Sequence, residues 1–242
     1  MFFSKKKKHG KRKEVVDNKT NTGFTVEDRP KSIVAEAYKT LRTNIQYSSF
    51  DKEIKTIAVT SAEMAEGKST VARNIALTFA QNEKNVILID CDLRKPSVHK
   101  NFKASNLVGV SEILLGKATF EEAIQRHNDN FCFLTSGKIP PNPSEMLASY
   151  AMTKLIEKSK EEYDIIVLDT APLKLVTDAQ ILSAKVDGTI LVVRAQRTKK
   201  DAVIESKNLL DKVGANIIGT VFYAVENTRE KYNYYYGSED QQ

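Results

Sequence analysis

The run Ile54-Lys55-Thr56-Ile57-Ala58-Val59 leads straight into Thr60-Ser61-Ala62-Glu63-Met64-Ala65-Glu66-Gly67-Lys68-Ser69-Thr70, and an amphipathic stretch carrying Val71, Ile75, Ala76 and Phe79 follows. An apolar strand that turns through Gly-Lys-Ser-Thr into a helix is the layout of a phosphate-binding loop. Loop amides and the helix N-terminus face anionic oxygens, a lysine reaches them, and a hydroxyl meets Mg²⁺. The layout predicts nucleotide contacts at Ala65, Glu66, Gly67, Lys68, Ser69 and Thr70. Two positions depart from the common G-x-x-x-x-G-K-[ST] pattern. Ala62 stands at the first glycine, and Ala65 stands where glycine would ease a left-handed backbone, at a cost of about 1–2 kcal/mol. Replacing Ala65 by glycine is therefore expected to tighten nucleotide binding.

Apolar runs and helical stretches alternate from there on. Strands are predicted at Ile57–Thr60, Val86–Asp90, Phe131–Leu134, Ile165–Asp169, Thr189–Val193 and Ile217–Phe222. Helices are predicted at Ser69–Gln81, Phe120–Arg126, Ser144–Lys158, Asp178–Lys185 and Lys199–Val213, with an earlier one beginning after a capping Ser32. Strands that are nearly all apolar are buried on both faces, which means a parallel sheet with helices on each side. The fold class is thus α/β, one P-loop-type domain, and 242 residues suffice for its core. Residues 1–30 read as a flexible basic arm, 31–226 as the domain and 227–242 as a tyrosine-rich tail.

Ligands on such sheets bind outside the carboxyl ends of the strands, and the acids fall there. Val86-Ile87-Leu88-Ile89 ends in Asp90-Cys91-Asp92, and Ile165-Ile166-Val167-Leu168 ends in Asp169. Carboxylates at the rim of an apolar core need a cation. Asp169, Asp92 and the Ser69 hydroxyl are the expected Mg²⁺ holders, and Lys68 draws charge from the phosphates. One of Asp90 and Asp92 is free to accept a proton from a phenol, which is a weak nucleophile while protonated; the residues leave open which. Phenols are at hand in Tyr232, Tyr234, Tyr235 and Tyr236, so phosphate is expected to move from the loop to the tail.

The formal charge of +6 looks like that of a nucleic-acid binder, but its distribution says otherwise. Lys5, Lys6, Lys7, Lys8, Lys11, Arg12 and Lys13 contribute +7 within the arm, leaving the remainder near −1. No nucleic-acid partner is expected; an anionic membrane surface suits such an arm, and so does solvent. The sequence holds no run of 18 apolar residues and no signal-peptide core, which points to the cytoplasm. Cys91 and Cys132 read as small buried hydrophobes.

With these residues in hand, the chain resembles the bacterial tyrosine kinases that govern capsule and exopolysaccharide synthesis. The resemblance runs from about Pro30 to Gly237. It rests on the loop, on Ile89-Asp90-Cys91-Asp92-Leu93-Arg94-Lys95-Pro96 (the Walker A′ motif) and on Leu134-Thr135-Ser136-Gly137 with Pro140-Pro141-Asn142-Pro143-Ser144-Glu145. The Walker B strand at Asp169, Val176-Thr177-Asp178-Ala179 and the tyrosine cluster complete it. It implies ATP and Mg²⁺ as cofactors, autophosphorylation of the tail in trans, and a phosphatase that resets it. It also implies a separate membrane-anchored activator of the polysaccharide machinery, which would hold the chain at the inner face of the membrane. Relatives form rings through an E-x-x-R-x-x-R stripe, matched here by Glu36, Lys39 and Arg42 on one side of the first helix. Lys39 lacks the arginine fork, so weaker ring contacts are expected.

A partition- or division-type ATPase switch without kinase activity is the alternative. Such proteins carry a second lysine five positions before the loop lysine, where this chain has Glu63, and their membrane-bound forms end in an amphipathic helix rather than in tyrosines.

Overall fold

In a computed structural model, residues 25–48 and 53–225 are described. The tyrosine cluster and nearly all of the basic arm lie outside them. The strands are β1 (Thr56–Ser61), β2 (Val86–Asp90), β3 (Ile124–Asn128), β4 (Phe131–Leu134), β5 (Ile165–Asp169), β6 (Gly188–Arg194) and β7 (Ile217–Tyr223). They form one sheet in the order β3-β4-β2-β5-β1-β6-β7, parallel throughout except for β3.

Alternate residues of the central strands feed opposite faces, as the pleat requires. Val86, Leu88, Phe131, Phe133, Ile165 and Val167 pack beneath α2 (Ile33–Gln46) and α3 (Lys68–Ala80). Ile87, Ile89, Cys132, Leu134, Ile166 and Leu168 pack on the other face with Leu147, Met152, Leu155 and Leu182, from helices that follow β4 and β5. Both cysteines are buried and free. Ser32 caps α2 through its hydroxyl, which accepts from the Ala35 amide at 3.2 Å.

Three elements differ from the sequence reading. The stretch Phe120–Arg126 reads as helix, but the helix stops at Ala123 after a Thr119–Glu122 capping box, and Ile124–Asn128 pairs antiparallel to β4. Ladder bonds to β4 outweigh a helical preference too short to stand alone. Ser144–Lys158 divides into α7 (Pro143–Ala148) and α8 (Tyr150–Glu162). The Ser149 hydroxyl donates to the Met146 carbonyl at 2.7 Å and accepts from the Met152 amide, closing one helix and opening the next.

The third concerns the end of the arm. Thr25–Asp28 form a helical turn, α1, with Val26 fully buried in the core under α3. The Val26 amide donates to Asn74 Oδ1, its carbonyl accepts from Gln81, and Glu27 meets His127 of β3 at 2.9 Å. The packed domain therefore starts ahead of residue 31. Val26→Ala should lower the unfolding free energy by about 1–3 kcal/mol, read as a drop in urea midpoint at constant m-value; an unmoved midpoint would mean that α1 contributes nothing to the domain.

Candidate functional site

The strand order brings the three sequence motifs together. β5 lies between β2 and β1, so the β1 loop, the β2 acids and Asp169 converge at one edge, with Asp90 directly opposite Asp169 in the ladder. The loop enters α3 through Gly67, which has a left-handed backbone (φ 97°), and no side chain caps the helix. Its first turn, Lys68-Ser69-Thr70, is therefore free to present amides to an anion. Ala65 also has positive φ, at 60°, the geometry expected of that position.

Lys68 is the hub. Its ammonium lies 2.9 Å from Asp92 Oδ2, 3.6 Å from Asp169 Oδ1 and 3.4 Å from Ser69 Oγ. Burial works against its charge, but Asp169 and Asp92 hold its pKa above the usual lysine value. Burial pushes the Asp169 carboxyl up, opposed by Lys68 and the Ser69 hydroxyl. Asp169 Oδ1 is buried and accepts no hydrogen bond. An orphaned carboxylate oxygen beside a serine hydroxyl is the donor set a hard divalent cation takes, so the residues present fit Mg²⁺. Among the described residues no three acidic, imidazole or thiol groups form a cage by themselves, so such a cation must draw further ligands from phosphate and water.

The two A′ aspartates have different surroundings. Asp90 is wholly buried, and its oxygens accept from the backbone amides of Asp92 (3.3 Å), Ser97 and Val98 (2.9 Å each). Burial and the facing Asp169 push its pKa up to about 7, against those amides. Asp92 reaches into the site, with one oxygen on Lys68 and the other accepting from the Lys95 amide at 3.0 Å.

Several site residues had no assigned role in the sequence reading. Arg94 pairs with buried Asp178 (Nε–Oδ2 2.9 Å), and the Ser144 hydroxyl joins both, at 2.6 Å from Asp178 and 2.9 Å from Arg94. Three motifs recognised only as strings thus interlock behind Asp92. On the loop's other flank, Arg194 donates to the Ala65 carbonyl at 2.9 Å, Thr198 hydrogen-bonds Glu66, and the Tyr223 ring lies on Gly67. Glu66 is buried, and its other oxygen accepts from the Glu63 amide, so its side chain shapes the loop. Glu63 itself reaches Lys174 at 3.7 Å. Away from the site, Glu36 and Lys39 pair at 2.6 Å, and Arg42 donates to the Thr78 carbonyl of α3.

A family model described as an AAA domain matches residues 54–214. The tyrosine-protein kinase YwqD of Bacillus subtilis is 42% identical over 212 residues, 87% of this chain and 90% of that protein. The chain belongs to the bacterial tyrosine-protein kinases. Solved structures agree with the assignment. The chimerical protein CapA2B2 superposes on this kinase with a TM-score of 0.80 at 34% identity, covering 84% of this chain and 90% of its own. The kinase domain of the Escherichia coli tyrosine kinase ETK does so at 0.79 and 32%, covering 84% and 82%. No helix among the described residues of the kinase is long and apolar enough to cross a membrane.

The geometry separates the two A′ acids by experiment. Asp90→Asn loses amide acceptors and should cost about 2–4 kcal/mol of stability. Asp92→Asn should leave the melting temperature within a few degrees while removing most phosphoryl transfer. Thermal unfolding and tyrosine labelling of both variants measure this, and equal melting temperatures would contradict the division. Ala65→Gly should tighten ADP binding by up to about tenfold, the equivalent of about 1.4 kcal/mol of relieved strain, by isothermal titration.

Proposed function

We propose that the chain is an ATP- and Mg²⁺-dependent autokinase that phosphorylates Tyr232, Tyr234, Tyr235 and Tyr236 of a neighbouring copy, and that this cycle regulates capsule or exopolysaccharide synthesis and export. The observation that carries the reading is the buried Lys68 between Asp92 and Asp169, at the mouth of an uncapped helix.

ATP supplies the transferable phosphoryl group; the chain's part is to position groups and spread charge. Lys68 holds its ammonium where phosphate oxygens arrive, and the α3 amides face the same point. Ser69 and Asp169 offer the cation an hydroxyl and an uncommitted carboxylate oxygen. Asp92 is the acid that accepts the phenol proton, because Asp90 is spent on three backbone amides. Leaving Asp92 for Lys68 and the substrate requires a rigid support, which the Arg94–Asp178–Ser144 cluster provides.

The tail can reach a site. Tyr223 ends β7 against Gly67, and Tyr232 lies nine positions further on, about 30 Å away when extended. Transfer between copies is supported by the surface beside the Glu36–Lys39–Arg42 stripe. Ile33 and Val34 of α2 and Phe222 of β7 are exposed there along a groove of about 660 Å³, an apolar patch suited to burial against a second subunit. Phosphates of about −1.5 to −2 charge each on adjacent tyrosines would repel across that contact, so phosphorylation loosens the assembly and a phosphatase restores it. A membrane-anchored activator completes the site and holds the kinase at the inner face of the membrane.

The ATPase-switch alternative gains no support from the site, since Glu63 occupies the second lysine's place and faces Lys174. Mixing Lys68→Met, which keeps its tyrosines, with an active variant whose four tail tyrosines are phenylalanine isolates transfer between copies. Phosphotyrosine is expected on the Lys68→Met chain alone, rising with protein concentration. A mixture that stays unlabelled while wild type labels itself would place the transfer within one chain. Fully phosphorylated protein should also elute as a smaller species than the phenylalanine variant in size-exclusion chromatography with light scattering.

A further inference from the structure

The three residues that carry the unusual part of the phosphate loop, Ala65-Glu66-Gly67, are each held from outside the loop, and all three holders come from the same side of the sheet. Arg194, the last residue of β6, donates from Nη1 to the Ala65 carbonyl at 2.9 Å. Thr198, in the turn before α10 (Lys200–Lys212), hydrogen-bonds the buried Glu66 carboxylate, which also accepts from the Glu63 amide. Tyr223, the last residue of β7, lays its ring on Gly67 so closely that a Cβ there would sit 2.4–2.7 Å from three ring atoms. The holders are themselves joined. The Arg194 guanidinium lies over the Tyr223 ring, 6.0 Å from its centroid, the Ala195 amide donates to the Tyr223 carbonyl at 2.9 Å, and Thr198 accepts from the Arg194 amide at 3.0 Å.

Physics gives these contacts a purpose. Ala65 holds φ at 60°, which an alanine adopts only at a cost, and the loop lacks glycine at this position and at Ala62. A strained turn persists when its surroundings over-determine it. A charge-assisted bond to the carbonyl of the strained residue does this, and a ring packed on the next glycine blocks the backbone from swinging away.

We infer that Arg194 and Tyr223 are positioning residues for nucleotide binding, a clamp from the ends of β6 and β7 that holds Ala65 in its left-handed conformation so that Gly67 and Lys68 meet the phosphates. The inference rests on the reading of the loop as the nucleotide site, and it assigns a function to the last two strands that no strand-end acid of theirs supplies.

The test titrates a fluorescent ADP analogue with Mg²⁺ into the full chain and follows thermal unfolding alongside. Arg194→Met should raise the dissociation constant about tenfold and Tyr223→Leu by a similar factor, while Tyr223→Phe, which keeps the ring, stays within about twofold. The deciding comparison is a double-mutant cycle with Ala65→Gly. Glycine reaches φ 60° unaided, so Arg194→Met in the Ala65→Gly background should cost threefold or less. A merely structural Arg194 would lower stability and affinity equally in both backgrounds, and that equality overturns the inference. Full wild-type affinity in both Arg194→Met and Tyr223→Leu overturns it as well. Failure of the wild type to bind the analogue would instead remove the nucleotide reading on which the inference stands, and the inference with it.

Discussion

One ammonium group inside a ring of acids organises this molecule. Lys68 stands 2.9 Å from Asp92 and 3.6 Å from Asp169, with Asp90 behind them. Desolvating a lysine is costly, and desolvating three carboxylates more so; each makes the other's burial tolerable. Burial, reinforced by repulsion from the neighbouring carboxylates, pushes Asp90 and Asp169 toward their protonated forms, and Lys68 only partly opposes it. A site that holds surplus negative potential around a buried carboxylate oxygen with no hydrogen bond of its own is prepared to accept a divalent cation, and through it a polyphosphate.

The sheet exists, from the standpoint of chemistry, to bring that arrangement about. β5 between β1 and β2 puts three chain segments more than twenty residues apart side by side, and register places Asp90 opposite Asp169. Rigid support comes from each flank. Arg94, Ser144 and Asp178 brace the A′ segment from the face of α7 and α9 (Asp178–Ser183), while Arg194, Thr198 and Tyr223 brace the loop from β6 and β7. Lys68, Asp92 and Asp169 sit between two such braces, the condition under which positioning can supply a large part of catalysis.

Much of this was legible in the amino-acid sequence. Buried parallel strands announce themselves as apolar runs, so Val86–Asp90, Phe131–Leu134 and Ile165–Asp169 are found with their observed limits, and Gly67-Lys68-Ser69-Thr70 marks the site. The edge was not legible: Ile124–Asn128 is polar enough to pass for the end of a helix, and only its pairing with β4 makes it a strand. Nor was α1, a single turn held by the buried Val26 side chain and by two bonds from its backbone to the side chains of Asn74 and Gln81. The braces were invisible for another reason. Arg194 and Tyr223 lie well over a hundred residues from the loop they touch, and neither belongs to a pattern whose spacing carries chemistry. The different surroundings of Asp90 and Asp92 depend on amide directions after a turn, which residue identity does not encode.

The central claim is that a phosphoryl group at Lys68 ends on the tail tyrosines, and intact-mass and peptide mass spectrometry of the purified chain, incubated with Mg²⁺ and a γ-thio analogue of ATP together with the activator's cytoplasmic segment, measures it directly. Thiophosphate on Tyr232, Tyr234, Tyr235 or Tyr236, absent when Lys68 is methionine, is the result this account predicts. Release of free thiophosphate with every one of those tyrosines unmodified would contradict it.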